Sequence, residues 1–238
     1  MALKFHWITL LFIYLVVIAG SIVRMTGSGM GCPDWPKCFD QYIPPTNVAD
    51  LPENYQDYYS SKREEKIKKF SSFLKGIGLD HKANILQKDK SLLIEQPFNV
   101  WNTWTEYINR LIGALAGLFI LGGVVISLFS KVQRLKKVIL CCLLLVLTFF
   151  QAWWGSMVVA TNIVPWVLTV HMIIAAFMIG IQVVIIEQWT TNKNFIPKSI
   201  FRLAFLGIII LIIQIQKIIM KMVLRILPYR IAYPFSIK

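Results

Sequence analysis

The sequence predicts an all-α polytopic membrane protein, with a four-helix bundle, a fifth membrane span and a long polar outer loop. Hydrophobic residues make up 56% of the 238-residue chain. Several apolar runs approach twenty residues, the length a helix needs to cross a hydrocarbon core of about 30 Å. After residue 100 the only acidic residues are Glu106 and Glu187, so most of the formal charge of +13 lies in the membrane half. That distribution indicates topology signals and contacts with membrane lipid rather than a partner nucleic acid.

Five spans are predicted by these apolar runs. They cover residues 6–23, 107–129, 138–160, 165–186 and 203–224. No small-residue cleavage site follows the first run, which favours a retained signal-anchor span over a removed signal peptide. The connection "SKVQRLKK" carries four basic residues and no acid, so the positive-inside rule predicts that it and the N-terminus are cytoplasmic.

The chain then divides into four regions. These are a first span (1–24), an outer loop with a cysteine pair (25–100), spans two to four (101–187), and a cytoplasmic loop with the fifth span and a basic tail (188–238). Within the outer loop, "SSKREEKIKKFSSFLKGIGLDHK" is typical of a soluble amphipathic helix or a mobile excursion.

Cys32 and Cys38 flank "PDWPK" in the outer loop. An oxidising outer compartment favours a disulfide between them, and two free structural cysteines or a redox-active pair are the alternatives. Cys141 and Cys142 are adjacent in an apolar run, where small packing residues are expected.

Ionisable residues within spans are costly and are candidate functional sites. Here they are Glu106, Arg110 and His171, with Asn109 and Gln151 as uncharged companions. Glu106 is followed at offsets of 3, 4, 7 and 11 by Asn109, Arg110, Gly113 and Gly117. On a helix this spacing places most of these residues on one face. The G-x-x-x-G pattern in "GALAG" indicates close helix packing or clearance for a flat ligand, and both can hold together.

His171 lies six residues after Pro165, about 9 Å below the predicted helix start and at a depth similar to Asn109. In an apolar span an imidazole is a candidate haem or metal ligand, and a satisfied core histidine is the alternative. Arg24 precedes a glycine-rich turn, and its guanidinium together with the turn N–H groups is suited to binding a carboxylate or phosphate. The alternative is an arginine whose side chain extends to the membrane interface without binding a ligand. His6 and His81 are expected to be interfacial or solvated.

Three stretches together resemble the amino-terminal half of the haem A synthase family. They are "GSIVRMTGSGMGCPDWPKCFDQYIPP", "TEYINRLIGALAG" and "QAWWGSMVVATNIVPWVLTVHMIIAAF", and the resemblance runs from about residue 10 to 216. It implies an eight-helix membrane protein of two similar four-helix bundles, the first holding the substrate haem O and the second a haem b. It also implies conversion of the C8 methyl of haem O to a formyl by two successive hydroxylations, with water as the oxygen source.

The resemblance assigns roles to individual residues. Glu106 matches the family's catalytic glutamate, and His171 matches an axial histidine of the haem iron. Cys32 and Cys38 match a pair that in many members forms a disulfide and is a candidate electron acceptor.

Further assignments follow from charge and size. Arg24 and Arg110 are available for haem propionates, and Gly113 and Gly117 let the porphyrin approach the backbone. Asn109 stands where the family pattern E-x-x-H-R has histidine. Because an amide is a poor iron ligand, we expect a haem held through His171 alone or with water as sixth ligand.

The basic tail departs from the family. The resemblance ends near Gln216. Basic residues begin at the same point, and if the fifth span crosses the membrane they would lie in or beyond the outer leaflet without acidic partners: Lys217, Lys221, Arg225 and Arg230. A truncated or frame-shifted product would explain both facts. The haem b site would then be absent, and an isolated half would need a partner chain.

The expected function is therefore haem A synthase-like oxidation for cytochrome oxidase cofactor biosynthesis, in a bacterial inner membrane. Haem O synthase, cytochrome oxidase assembly proteins and further copies of the chain in a homo-oligomer are the expected partners. One rival is a non-catalytic haem-binding or assembly protein. The other is a thiol-disulfide membrane oxidoreductase using Cys32 and Cys38, although their C-x5-C spacing differs from the C-x-x-C of such enzymes.

Overall fold

A computed structural model describes residues 1–34 and 37–190. Six α-helices account for most of this part: α1 (Ala2–Thr26), α2 (Tyr55–Gly76), α3 (Asp80–Lys88), α4 (Val100–Leu128), α5 (Arg134–Ala160) and α6 (Pro165–Trp189). Short 3₁₀ turns lie at Val48–Asp50 and Lys90–Leu93. The predicted all-α class is confirmed.

The four helices α1, α4, α5 and α6 are long and apolar enough to span a membrane. The first four predicted spans are thus confirmed, and each helix extends beyond its apolar run at one or both ends. For example, α4 begins seven residues early because the Asn99 side chain caps it, accepting from the Asn102 N–H (3.2 Å). The predicted fifth span and basic tail lie outside the described residues.

The four membrane helices form a closed ring in which α1 packs on α4, α4 on α5, α5 on α6 and α6 on α1. One core cluster fills the half of the bundle near the α4–α5 connection, and includes Leu10, Ile13, Ile120, Leu144, Met178, Ile179 and Ile185. The opposite end of the bundle carries the Cys32–Cys38 loop and is called the outer end here. All four helices therefore bring side chains to a common interior.

Helices α2 and α3 form a hairpin over the outer ends of α5 and α6. The predicted amphipathic helix in the outer loop is thus present, and it ends where Gly78 adopts a left-handed conformation (φ 80°). The Leu79 N–H then donates to the Leu74 carbonyl (2.8 Å). The inner face of the hairpin packs on α5 and α6 in a second cluster that includes Ile67, Phe70, Leu74, Ala83, Leu86, Trp154, Val158 and Val167.

A buried ion pair joins the hairpin to the segment that leads into α4. Arg63 is 4% exposed, and its Nη2 lies 2.8 Å from both carboxylate oxygens of Glu95. Arg63 also donates to the Leu92 carbonyl (3.3 Å). Burial raises the pKa of the Glu95 carboxyl above its ordinary value, and the charge of Arg63 opposes that shift.

The expectation that His6 is interfacial is wrong. His6 is 1% exposed because α1 begins at Ala2 and carries it into the bundle, where Gly123 of α4 leaves room for its ring. Gln182 of α6 donates to the His6 carbonyl (2.7 Å). His81 is exposed on α3, as predicted.

Replacing Arg63 with alanine should destabilise the hairpin by about 3–5 kcal/mol, because the Glu95 carboxylate would stay buried without its partner. Hydrogen exchange of residues 55–95 in the detergent-solubilised protein measures this effect. The matched control is Lys68→Ala, which removes the exposed pair with Glu64 and should change protection by less than about 0.5 kcal/mol. Equal protection in the two variants would contradict a stabilising role for the buried pair.

Candidate functional site

Glu106 lies in the second turn of α4, with its side chain against the Cys32–Cys38 loop. The residue is 3% exposed. Its Oε2 accepts a hydrogen bond from the Cys32 N–H (2.9 Å), and its Oε1 pairs with Nη2 of Arg110 one turn further along the helix. The two donors hold the carboxylate in one orientation at the outer end of the bundle.

Arg110 connects this carboxylate to the loop backbone. Besides Glu106, its guanidinium donates to the carbonyls of Cys32 (2.6 Å), Asp34 and Lys37 (3.4 Å). A planar guanidinium with five donors suits such a set of acceptors better than a lysine would. Glu106 and Arg110 therefore form an ion pair, and the same guanidinium fixes the loop.

The loop itself is closed by a disulfide between Cys32 and Cys38, with an S–S distance of 2.02 Å. The predicted disulfide is confirmed. Both cysteines are fully buried. Asp34 adds a second constraint, since its carboxylate accepts from the N–H groups of Phe39 (2.7 Å) and Asp40 (2.9 Å), two residues with positive φ.

Gly31 allows the loop to touch α4 directly. A Cβ placed on Gly31 would lie 2.5 Å from the carbonyl carbon and oxygen of Asn102 and 2.6 Å from the Thr103 nitrogen. The Thr103 hydroxyl donates to the Gly31 carbonyl (2.9 Å). Sequence reasoning did not single out Gly31 or Thr103 as site residues. The glycine-rich "TGSGMGC" before the first cysteine was the signal that could have identified the close approach.

His171 lies in the second turn of α6 against α5. Its Cε1 would be 3.3 Å from a Cβ built on Gly155, and its backbone carbonyl accepts from Nε2 of Gln151 (2.9 Å). The Nδ1 of the imidazole is buried without a hydrogen-bond partner in the described part of the chain. That does not match the alternative of a satisfied core histidine.

Five more buried polar atoms lack partners among residues 1–34 and 37–190, and two of them lie on α4 and α5: Oδ1 of Asn109 and Oε1 of Gln151. From the outer ends of their helices, Asn109, Gln151 and His171 are about 14, 14 and 9 Å deep. Unpartnered buried polar atoms are costly, and their presence on α4, α5 and α6 within about one helical turn in depth is typical of a ligand site.

The two glycines of the G-x-x-x-G pattern differ in their surroundings. A Cβ built on Gly117 would meet Cγ2 of Thr148 on α5 at 3.7 Å, which is ordinary packing contact. A Cβ built on Gly113 would meet no atom within 4 Å, although Gly113 lies on the same side of α4 as Glu106 and the buried Ile120. Gly117 therefore serves packing, and Gly113 has open space beside it.

Arg24 lies in the last turn of α1 and reaches across to α6. Its Nη1 is 3.7 Å from Sδ of Met172, the residue that follows His171. Within the described ranges it pairs with no carboxylate. This guanidinium is therefore free to bind an anionic group near the His171 end of the bundle.

These features fit a haem better than a chelated metal ion. No group of three or more potential metal-ligating side chains occurs in the described part of the chain. His171, whose Nδ1 has no partner in the described ranges, is the residue that could hold a haem iron, and Arg24 could pair with an anionic group such as a propionate.

Comparisons with known proteins point in the same direction. The sequence model of the COX15-CtaA family, described as cytochrome oxidase assembly protein, matches residues 4–217. Heme A synthase of Shewanella oneidensis is 43% identical over 44 residues, which span 18% of this chain and only 13% of that protein's length. No solved structure matches the chain.

Replacing Gly31 with alanine should destabilise the outer end of the bundle by about 1–3 kcal/mol, because the new methyl group would overlap the backbone of Asn102. Thermal unfolding of the purified protein measures this. Gly76→Ala is the control, since a Cβ there meets no atom within 4 Å. A Gly31 variant as stable as the control would show that the close contact with α4 contributes nothing.

Proposed function

We propose that this chain, which belongs to the COX15-CtaA family of cytochrome oxidase assembly proteins, binds haem O in its four-helix bundle and oxidises the C8 methyl to a formyl. The observation that carries the proposal is the position of the Glu106 carboxylate. Arg110 and the Cys32 N–H hold it on the helix face that also borders the open space at Gly113. An oriented carboxylate beside a substrate space is suited to proton transfer or to stabilising positive charge.

In this proposal Glu106 acts on the substrate methyl. Each hydroxylation takes its oxygen from water and releases two protons, with two electrons passing to an external electron acceptor; Glu106 accepts a proton or stabilises cationic character on the substrate. The second hydroxylation gives a geminal diol, which loses water to leave the formyl. Arg110 is then a positioning residue, because its guanidinium is occupied by Glu106 and by the loop carbonyls. Arg24 is the better candidate for a haem propionate, since it has no carboxylate partner among the described residues.

His171 is the proposed axial ligand of the substrate iron. Its ring packs against Gly155, and its Nδ1 makes no hydrogen bond within the described ranges. Asn109 supplies an amide oxygen on α4, across the bundle from α6, and this oxygen suits a hydrogen bond to a bound water better than coordination of iron. Gly113 gives the porphyrin access, and Gly117 keeps α4 close to α5.

The remaining family properties are proposals that rest on the resemblance. They comprise a haem b cofactor, for which none of the residues 1–34 and 37–190 is proposed as a ligand, and a homo-oligomer that works with haem O synthase and cytochrome oxidase assembly proteins. The chain is an integral multi-pass membrane protein. Its proposed cytoplasmic N-terminus is supported by the basic residues between α4 and α5, whereas its proposed placement in a bacterial inner membrane rests on the resemblance alone.

A haem-binding protein without oxidase activity is the second candidate function. Asn109 at the family's histidine position favours it, because one fewer iron ligand is available. The thiol-disulfide alternative has less support, because both sulfurs are fully buried and a partner thiol could not reach them in this conformation.

Replacing Glu106 with glutamine should lower haem A formation by about 10²–10⁴-fold while haem O still binds, because glutamine keeps an acceptor for the Cys32 N–H but no longer exchanges a proton. The measurement is pigment extraction and mass analysis after co-expression with haem O synthase in a host that lacks its own haem A synthase. The control is Glu187→Gln, an exposed carboxylate near the opposite end of the bundle.

Haem A formed equally by both variants would contradict the role of Glu106. Haem O bound without conversion by the unaltered chain would instead establish the non-catalytic alternative. The two outcomes are distinguished by the pigment that the unaltered chain carries.

Replacing His171 with alanine should abolish most haem binding, seen as loss of the Soret absorbance of the protein purified after growth with haem O. The physical reason is removal of the imidazole proposed as the iron ligand, whose Nδ1 has no partner in the described ranges. His81→Ala, on the exposed surface of α3, should leave the absorbance unchanged. Undiminished absorbance in the His171 variant would place the haem elsewhere.

A further inference from the structure

Large apolar side chains are exposed where α2 turns into α3. Phe73, Ile77 and Leu79 are 40%, 55% and 42% exposed. They differ from Phe70 and Leu74 on the inner face of the same hairpin, which are buried against α5 and α6. Three large apolar residues exposed within seven positions form a patch. Such a patch is more typical of an interaction surface than single exposed apolar residues are.

These residues continue the apolar surface of a membrane helix. On α5, exposed apolar side chains recur at spacings of three and four and form one stripe: Ile139, Leu143, Val146, Phe149 and Trp153. In a membrane span such a stripe faces lipid. The Phe73 ring centroid lies 5.1 Å from that of Trp153, at the outer end of the stripe. The hairpin therefore meets the lipid-facing surface without an intervening polar layer.

Tryptophans mark the depth of this contact. Trp153, Trp154 and Trp166 cluster at the outer ends of α5 and α6, and all three rings contact Phe70 at centroid distances between 5.6 and 6.3 Å. Tryptophan is enriched at the boundary between acyl chains and headgroups. The end of the hairpin thus lies at that boundary rather than in the aqueous phase above it.

The charge of the hairpin complements a lipid surface. Residues 66–88 include six lysines and a single acid, Asp80. Lys75 and Lys82 stand on either side of the exposed Ile77–Leu79 connection, and neither forms an ion pair in the part of the chain that the structure describes. Lysines beside an apolar insertion are typical of helices that lie in the membrane interface.

We propose that the end of the α2–α3 hairpin is a lipid-binding surface. Phe73, Ile77 and Leu79 enter the boundary between headgroups and acyl chains, and Lys75 and Lys82 bind lipid phosphates. The end of the hairpin then contacts the membrane surface, while the inner face of the hairpin packs on α5 and α6. The proposal does not depend on the reaction proposed above, nor on which side of the membrane the hairpin occupies.

The test uses the full chain in lipid nanodiscs, with Cys141 and Cys142 replaced by serine so that an introduced cysteine alone takes a fluorescent label. Ile77→Cys reports on the proposed surface. Ser72→Cys is the matched control, because Ser72 is exposed on the outward side of α2. Each label is exposed in turn to lipids that carry a spin label near the headgroup and to aqueous iodide.

We expect the label at position 77 to be quenched by the lipid spin label and protected from iodide about threefold or more relative to position 72. Equal iodide quenching at both positions would overturn the proposal. Protection from iodide without quenching by lipid would also overturn it, because another protein surface or a second copy of the chain would then cover the hairpin.

A second pair of variants tests the phosphate contacts without altering the apolar residues. Lipid quenching at position 77 should rise when phosphatidylglycerol replaces part of the phosphatidylcholine, and Lys75→Gln with Lys82→Gln should remove that rise. Added inorganic phosphate distinguishes a free anion from a lipid headgroup, since it should leave the quenching unchanged. A rise that persists in the glutamine variants would overturn the lysine assignment.

Discussion

The outer end of this bundle depends on one guanidinium. Arg110 joins the Glu106 carboxylate to three backbone carbonyls of the Cys32–Cys38 loop. An arginine so placed has nearly all its donors occupied, and its hydrogen bonds are strengthened by its charge. The disulfide restricts the loop, yet the arginine determines where the restricted loop lies on α4. The orientation of Glu106 follows from that placement, because its second donor is the Cys32 N–H.

The four spans and the disulfide could be predicted because each depends on a signal that is local in sequence. Apolar length and the basic "SKVQRLKK" connection define the spans, and two cysteines six positions apart in an outer loop define the bridge. Approximate depth was also accessible, since rise per residue converts sequence distance into depth. The early start of α4 nevertheless sets Asn109 about 14 Å from its helix end, against about 9 Å for His171. Chemical type and position along one helix were sufficient for these cases.

Other features could not be read from the sequence, because they depend on neighbours distant in the chain. Arg110 was expected to be available for propionates, and only the fold shows that loop carbonyls occupy it. The burial of His6 depends on the absence of a side chain at Gly123, more than a hundred residues away. The two glycines of "GALAG" have equivalent sequence signals but different neighbours, so their separate roles appear only when α5 is placed beside α4.

The two covers of the outer end are attached to different helices. The Cys32–Cys38 loop lies on α4, whereas the hairpin packs on α5 and α6. The two covers nevertheless share a buried cluster, in which Tyr59 of α2 packs with both cysteines and Phe39 of the loop. A substitution at Tyr59 would therefore disturb the loop that orients Glu106. The exposed end of the hairpin at Ile77 lies outside this cluster, so its length and surface charge can vary with the membrane of the host while the cluster is kept.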